Sequence, residues 1–186
     1  DALHATARAP IERHRAAVIA EPRSGTAWGR LGLVLRHLGF AGEARTCFAA
    51  AERFDATAAR WPYLQGLMIA ASSPSSAAAS LERAAELCGD EPATPRLRLA
   101  ELLVEQGTIE EAAGQLERLL RKRPGFSPAL LALARIEQAR GRFAEAEALA
   151  VKSVKDAVTG HQAWTLLAAL AQRRGDAAAA AALSPP

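Results

Sequence analysis

Apolar and small residues fall along this chain with helical spacing. Trp28, Leu31, Gly32 and Leu35 recur at intervals of three and four, and Gly39 follows as a break. Ala44, Phe48 and Ala51 then resume the same spacing. This pattern predicts two amphipathic helices, at about Gly25–Leu38 and Ala41–Phe54, joined by a tight turn at Gly39. Nowhere do apolar residues alternate with period two, so no strand is expected.

The same pattern returns. A second set starts 33 residues on, at Trp61, Leu64, Gln65, Met68, Ala77, Leu81 and Ala84. A third follows at a step of 35: Arg96, Leu99, Ala100, Leu103, Gly107, Ala112, Leu116 and Leu119. Two more follow at steps of 34, the first with Leu130, Leu133, Ala134, Gly141 and Ala146, the second with Trp164, Leu167, Ala168, Gly175 and Ala180. In this alignment the three tryptophans share one place, and Gln65 interrupts a row of small residues, so looser packing is expected there. Ser72-Ser73-Pro74-Ser75-Ser76 reads as the turn of the second unit. The organisation expected is a tail and partial capping repeat at 1–24, then repeats at 25–57, 58–92, 93–126, 127–160 and 161–186, the last truncated, all in one solenoid domain. Residues 1–9 read as a frayed helix or tail, with Pro10 in the first turn of a helix that ends before Glu21-Pro22. The Ala-rich stretch Ala177–Ala182 buries little area per residue and is expected to fray. Starting at Asp1 rather than Met, the chain reads as a cleaved mature form or an excised piece of something longer.

A single helix pair of this kind cannot bury its apolar face alone, so neighbours must stack. The spacing W-x2-L-G at Trp28, Leu31 and Gly32, with Ala44, Phe48 and Ala51 behind it, resembles the tetratricopeptide repeat (TPR). The resemblance covers about residues 11–183 and is specific for fold. It implies an all-α, right-handed α-solenoid of stacked antiparallel helix pairs whose first helices line a concave groove. It also implies that this groove takes a peptide or protein segment. Carried onto this sequence, the groove-facing places include Arg30, Leu33, Arg36 and His37 of the first repeat and Tyr63 of the second. They continue with Leu97, Arg98, Glu101 and Glu105 of the third, Leu131, Arg135 and Gln138 of the fourth, and Gln162 and Arg173 of the fifth. Arginines outnumber glutamates there, so the groove is expected to be mildly cationic and to favour an acidic or carboxylate-bearing partner. The chaperone-tail-binding members of the family use a Lys and Asn clamp, and this chain contains no Asn. Its Arg- and Ala-rich style looks like bacterial TPR modules from GC-rich genomes, which serve as adaptors or in cell-envelope assembly.

Composition narrows the remaining classes. Net charge is only +3, and all but Lys122, Lys152 and Lys155 of the 23 basic residues are Arg. A mild excess of this kind argues against strong binding along a nucleic-acid backbone. The cluster Arg118, Arg121, Lys122 and Arg123 complements a helix C-terminus instead. A cationic nucleic-acid binder is therefore the disfavoured alternative, with a self-associating module as a third reading. The two cysteines, Cys47 and Cys88, are placed too far apart for a bridge. His4, His14, His37 and His161 are scattered, and no metal-ligand, phosphate-loop or nucleophile motif is present. No enzyme activity, cofactor or metal is expected. No apolar run is long enough to span a membrane, and the chain leaves its compartment, cytoplasmic or periplasmic, unstated.

Overall fold

The computed structural model describes residues 2–176. Among these the chain is helical, with no strand. The helices are α1 (Ala2–Ala20), α2 (Gly25–His37), α3 (Ala41–Phe54), α4 (Arg60–Ile69) and α5 (Pro74–Leu87). They continue with α6 (Thr94–Glu105), α7 (Ile109–Lys122), α8 (Ser127–Ala139), α9 (Phe143–Ser153) and α10 (Gly160–Arg173). Two compact units divide the chain between Pro95 and Arg96. In the first, α1 packs on α2, α2 on α3, α3 on α4 and α4 on α5. In the second, α7 packs on α8, α8 on α9, and α10 on both α8 and α9. Short turns between consecutive helices make each pair antiparallel, and stacked pairs give the α-solenoid architecture.

Local chemistry sets the helix boundaries. Ser24 caps α2 by accepting the Ala27 N–H at 3.2 Å through its hydroxyl, which satisfies one of the free donors of the first turn. Pro74 and Pro128 sit in the first turns of α5 and α8, where a missing N–H costs nothing. Two expectations change here. Pro10 lies inside α1, not in its first turn, because that helix begins at Ala2. The serine-rich turn is shorter than expected, since Pro74, Ser75 and Ser76 already belong to α5. The Ala177–Ala182 stretch lies outside the described residues.

Packing also corrects the phase of the second repeat. A β-carbon on Gly32 would lie 2.8 Å from Phe48 Cε1 of α3, and one on Gly66 would lie 2.8 Å from Leu81 Cγ of α5. Gly66, not Gln65, is therefore the small residue that lets the helices of this pair approach. Gln65 turns instead to Glu52, donating its Nε2 to Oε2 at 3.2 Å. Gly32, Gly66, Ala100, Ala134 and Ala168 then run at a uniform step of 34. Trp61 falls in line with Ala27, Pro95, Ala129 and Ala163, all of them buried. Trp28 corresponds to Pro62, Arg96, Leu130 and Trp164, so the three tryptophans do not share one place.

Two length changes produce this phase. Ala44 follows Gly32 by 12 residues, but Ala77 follows Gly66 by 11. The α4–α5 turn has lost one residue and with it the positive-φ glycine found at Gly39, Gly107, Gly141 and Gly175. The segment after α5 has gained one residue, and it bends through Gly89 (φ 59°) and Asp90 (φ 68°).

The cores are built from small and branched residues. In the first unit Ala44, Phe48, Ala51 and Trp61 are fully enclosed with Leu31 and Leu35 around them. Phe48 and Trp61 stack with centroids 6.4 Å apart. In the second unit Leu131, Ala134, Ala146, Ala150, Ala163 and Leu167 form the corresponding cluster. Arg96 is buried at the place where other repeats carry Trp, Pro or Leu, and its Nη1 donates to Gln115 Oε1 at 2.5 Å.

Candidate functional site

The first helix of each pair presents one face to its core and another outward. On α2, Leu31, Gly32 and Leu35 face the core. Arg30, Leu33 and His37 share the other side at helical spacing, with Arg36 beside them. Arg30, Arg36 and His37 are exposed, and Leu33 is 38% exposed despite being apolar. No ion pair engages these three cationic or titratable side chains among the described residues. On α4, Tyr63 is half-buried.

The second unit carries a cavity of about 410 Å³. Leu97, Ala100, Glu101, Val104 and Glu105 of α6 form one wall. Leu131, Ala132, Arg135, Ile136 and Ala139 of α8 form the other, with Pro128 at their N-terminal end. Ile109 and Leu116 of α7 contribute from behind, and Thr159 and Gln162 lie where α10 begins. Small side chains at Ala100, Ala132 and Ala139 leave the space open.

Charge is unevenly placed around it. Glu101 Oε2 accepts from Arg98 Nη1 at 2.5 Å, and Arg135 donates Nη2 to Gln162 Oε1 at 3.0 Å. Glu105, in the last turn of α6, is exposed and has no ion-pair partner among the described residues. The negative end of the α6 dipole lies there too, although the Leu102, Leu103 and Val104 carbonyls already accept from the Gln106, Thr108 and Gly107 N–H groups. Thr159 is fixed by Asp156, whose Oδ1 accepts from the Thr159 N–H, the Thr159 hydroxyl and the Val158 N–H at 2.9–3.0 Å. The bonds from the Thr159 N–H and hydroxyl hold the Asp156 carboxyl below its ordinary range, with Val158 adding to them.

Behind Ile136, Glu137 points into the turn between α8 and α9. It accepts from Arg140 Nη1 at 2.8 Å and from Arg142 Nη2 at 2.9 Å, and Arg142 Nε also donates to it. Arg140 reaches Glu110 at the start of α7 at 2.5 Å. The hydrogen bond from Arg142 is the main reason the Glu137 carboxyl stays below its usual range; burial opposes it and Arg140 assists it. This network fastens the turn that carries the α8 wall of the cavity.

Of the groove-facing residues read from the sequence, Leu97, Glu101, Glu105, Leu131, Arg135 and Gln162 meet at this cavity. Arg98 stands outside it as the partner of Glu101, and Gln138 is half-buried nearby on α8. Arg173 lies over the Phe143 ring, 4.6 Å from its centroid, in a cation–π contact. Val104, Ile109, Ile136 and Thr159 were not singled out by the sequence. Val104 follows Leu97 by two helical turns, which is a usable signal, whereas Ile109 and Thr159 enter from turns.

Among the described residues no group of three or more His, Cys, Asp or Glu side chains could hold a metal, and no helix is long and apolar enough to cross a membrane. Cys47 and Cys88 are free. Burial pushes the Cys47 thiol up, and Glu43 adds to the effect.

Residues 103–170 match the family model described as tetratricopeptide repeat. No curated protein sequence matches the chain. Solved structures share its fold. PilW, described as a widely conserved type IV pilus biogenesis factor, aligns at 22% identity with a TM-score of 0.69, over 95% of this chain and 82% of its own. PilF of Pseudomonas aeruginosa aligns at 18% identity with a TM-score of 0.75, over 97% and 84%. YrrB, described as a TPR protein with an unusual peptide-binding site, aligns at 15% identity with a TM-score of 0.70, over 93% and 89%. Residues 103–170 thus match the tetratricopeptide repeat in sequence, and the fold of the chain is the tetratricopeptide-repeat α-solenoid.

Proposed function

We propose that this chain is a non-catalytic interaction scaffold, an adaptor or assembly factor, that holds a peptide or protein segment on the outward faces of its first helices. TPR folds generally mediate contacts between proteins, and YrrB is described as having a peptide-binding site. The observation that carries the reading is the cavity between α6 and α8. It is an open apolar space with a few charged groups at its edge, the form that ligand sites take. In the first unit, the exposed Arg30, Arg36 and His37 support an acidic or carboxylate-bearing segment on the α2 face, since guanidinium forks pair with carboxylates.

The test is affinity capture with the full tagged chain from a lysate of its source, followed by mass spectrometry. Two variants accompany it: Arg30→Glu with Arg36→Glu, and Ala132→Trp, which fills the cavity. A protein captured by the native chain and lost with either variant, at unchanged helicity by circular dichroism, supports the reading. An identical captured set for all three chains removes it.

A further inference from the structure

We propose that the α6–α8 cavity recognises a bulky aliphatic or aromatic side chain of an extended peptide that carries Lys or Arg beside that residue. The inference rests on the reading that first-helix faces bind peptide, and it names the motif. The volume of about 410 Å³ lies within the range of roughly 300–1,000 Å³ typical of ligand pockets. Its walls carry Leu97 of α6 and Leu131 and Ile136 of α8, all apolar, and Val104 stands 42% exposed on α6. An apolar side chain seated there removes both its own surface and theirs from water.

The charges decide what lies beside it. Glu101 and Glu105 stand one turn apart on the α6 wall, and the α6 carbonyl end adds to them. Arg98 already engages Glu101, while Glu105 has no ion-pair partner among the described residues. On the opposite wall Arg135 donates to the neutral Gln162 amide, so its charge is not cancelled and that wall stays cationic. On the α6 side, a cation next to the anchor meets the unpaired Glu105 carboxylate and a helix C-terminus. The preference of the α6 wall is thus opposite in sign to that of the Arg30, Arg36 and His37 face.

Amide NMR titration of the full chain tests this with synthetic nine-residue Gly/Ser peptides holding one central Leu or Phe. Its neighbour is Lys, Ser or Glu. The Leu-Lys and Phe-Lys peptides should shift the amides of residues 97–105 and 129–139, and bind roughly five-fold or more tightly than the Glu peptides. Glu105→Arg should reverse that order, and Ala132→Trp should abolish the shifts. If the Glu or Ser peptides bind these amides as tightly as the Lys peptides, and Ala132→Trp removes the shifts, the charge motif is overturned while the groove reading stands. If no peptide moves these amides, both are overturned.

Discussion

Trp61 lies edge-on against Gly29. A β-carbon at Gly29 would sit 1.9 Å from Trp61 Cη2 and 2.2 Å from Cζ3. The indole of α4 therefore occupies the space that any side chain on this part of α2 would need. The contact joins consecutive repeats of the first unit, and Phe48 stacks against the same ring.

Gly29→Ala should consequently lower stability by about 1–3 kcal/mol, as overpacking of a rigid core does. Adding Trp61→Phe, which shortens the ring facing the new methyl group, should recover part of the loss. Urea unfolding of the two single variants and the double variant gives the coupling directly. Strict additivity would show that the two residues do not meet as described.

The phase of the second repeat makes a separate prediction. Gly66→Ala places a β-carbon 2.8 Å from Leu81 Cγ and 3.1 Å from the Ala77 carbonyl oxygen, and should cost about 1–2 kcal/mol. Gln65→Ala gives up one 3.2 Å bond to Glu52, which keeps Arg83 as a partner at 2.6 Å. Its effect should stay within about 0.5 kcal/mol. A larger loss from Gln65→Ala than from Gly66→Ala would restore the phase expected from the sequence.

That difference shows where sequence reading stopped. Helices α2 and α3 were legible almost to the residue, because Gly39 marks the turn and the spacing is regular on both sides. The second repeat misled because Trp61 imitates Trp28 by type while occupying the place of Ala27. A deletion in the α4–α5 turn and an insertion around Gly89 and Asp90 conceal this, since together they leave the later repeats in step. At the candidate site, six of the groove places implied by the repeat resemblance line the cavity. The repeat pattern could not show that Arg135 would turn to Gln162, or that Arg173 would lie on Phe143. Those choices depend on which neighbours stand within reach, and the repeat pattern does not encode them.

The Glu137 network should make the second unit acid-sensitive. A carboxyl held below its unfolded value, about 4.3 for Glu, stabilises the fold above that value and loses its contribution as pH falls through the folded value. Glu137→Gln should cost about 2 kcal/mol at neutral pH by leaving Arg140 and Arg142 imperfectly paired. The difference from the native chain should shrink as pH falls from about 5 towards 3. Denaturant titrations at several pH values measure it; a constant difference across that range would mean that the Glu137 charge contributes nothing.

The three indoles also differ in surroundings. Trp61 is enclosed by core, whereas Trp28 and Trp164 are half-exposed, and the Trp28 Nε1 donates to the Pro22 carbonyl at 2.9 Å. Indole emission shifts to shorter wavelength as water is excluded. A chain keeping only Trp61 would glow blue while the first unit holds and redden as it opens; one keeping only Trp164 would report on the second. The chain thus carries a separate optical reporter in each half, and no dye need be attached to follow either one.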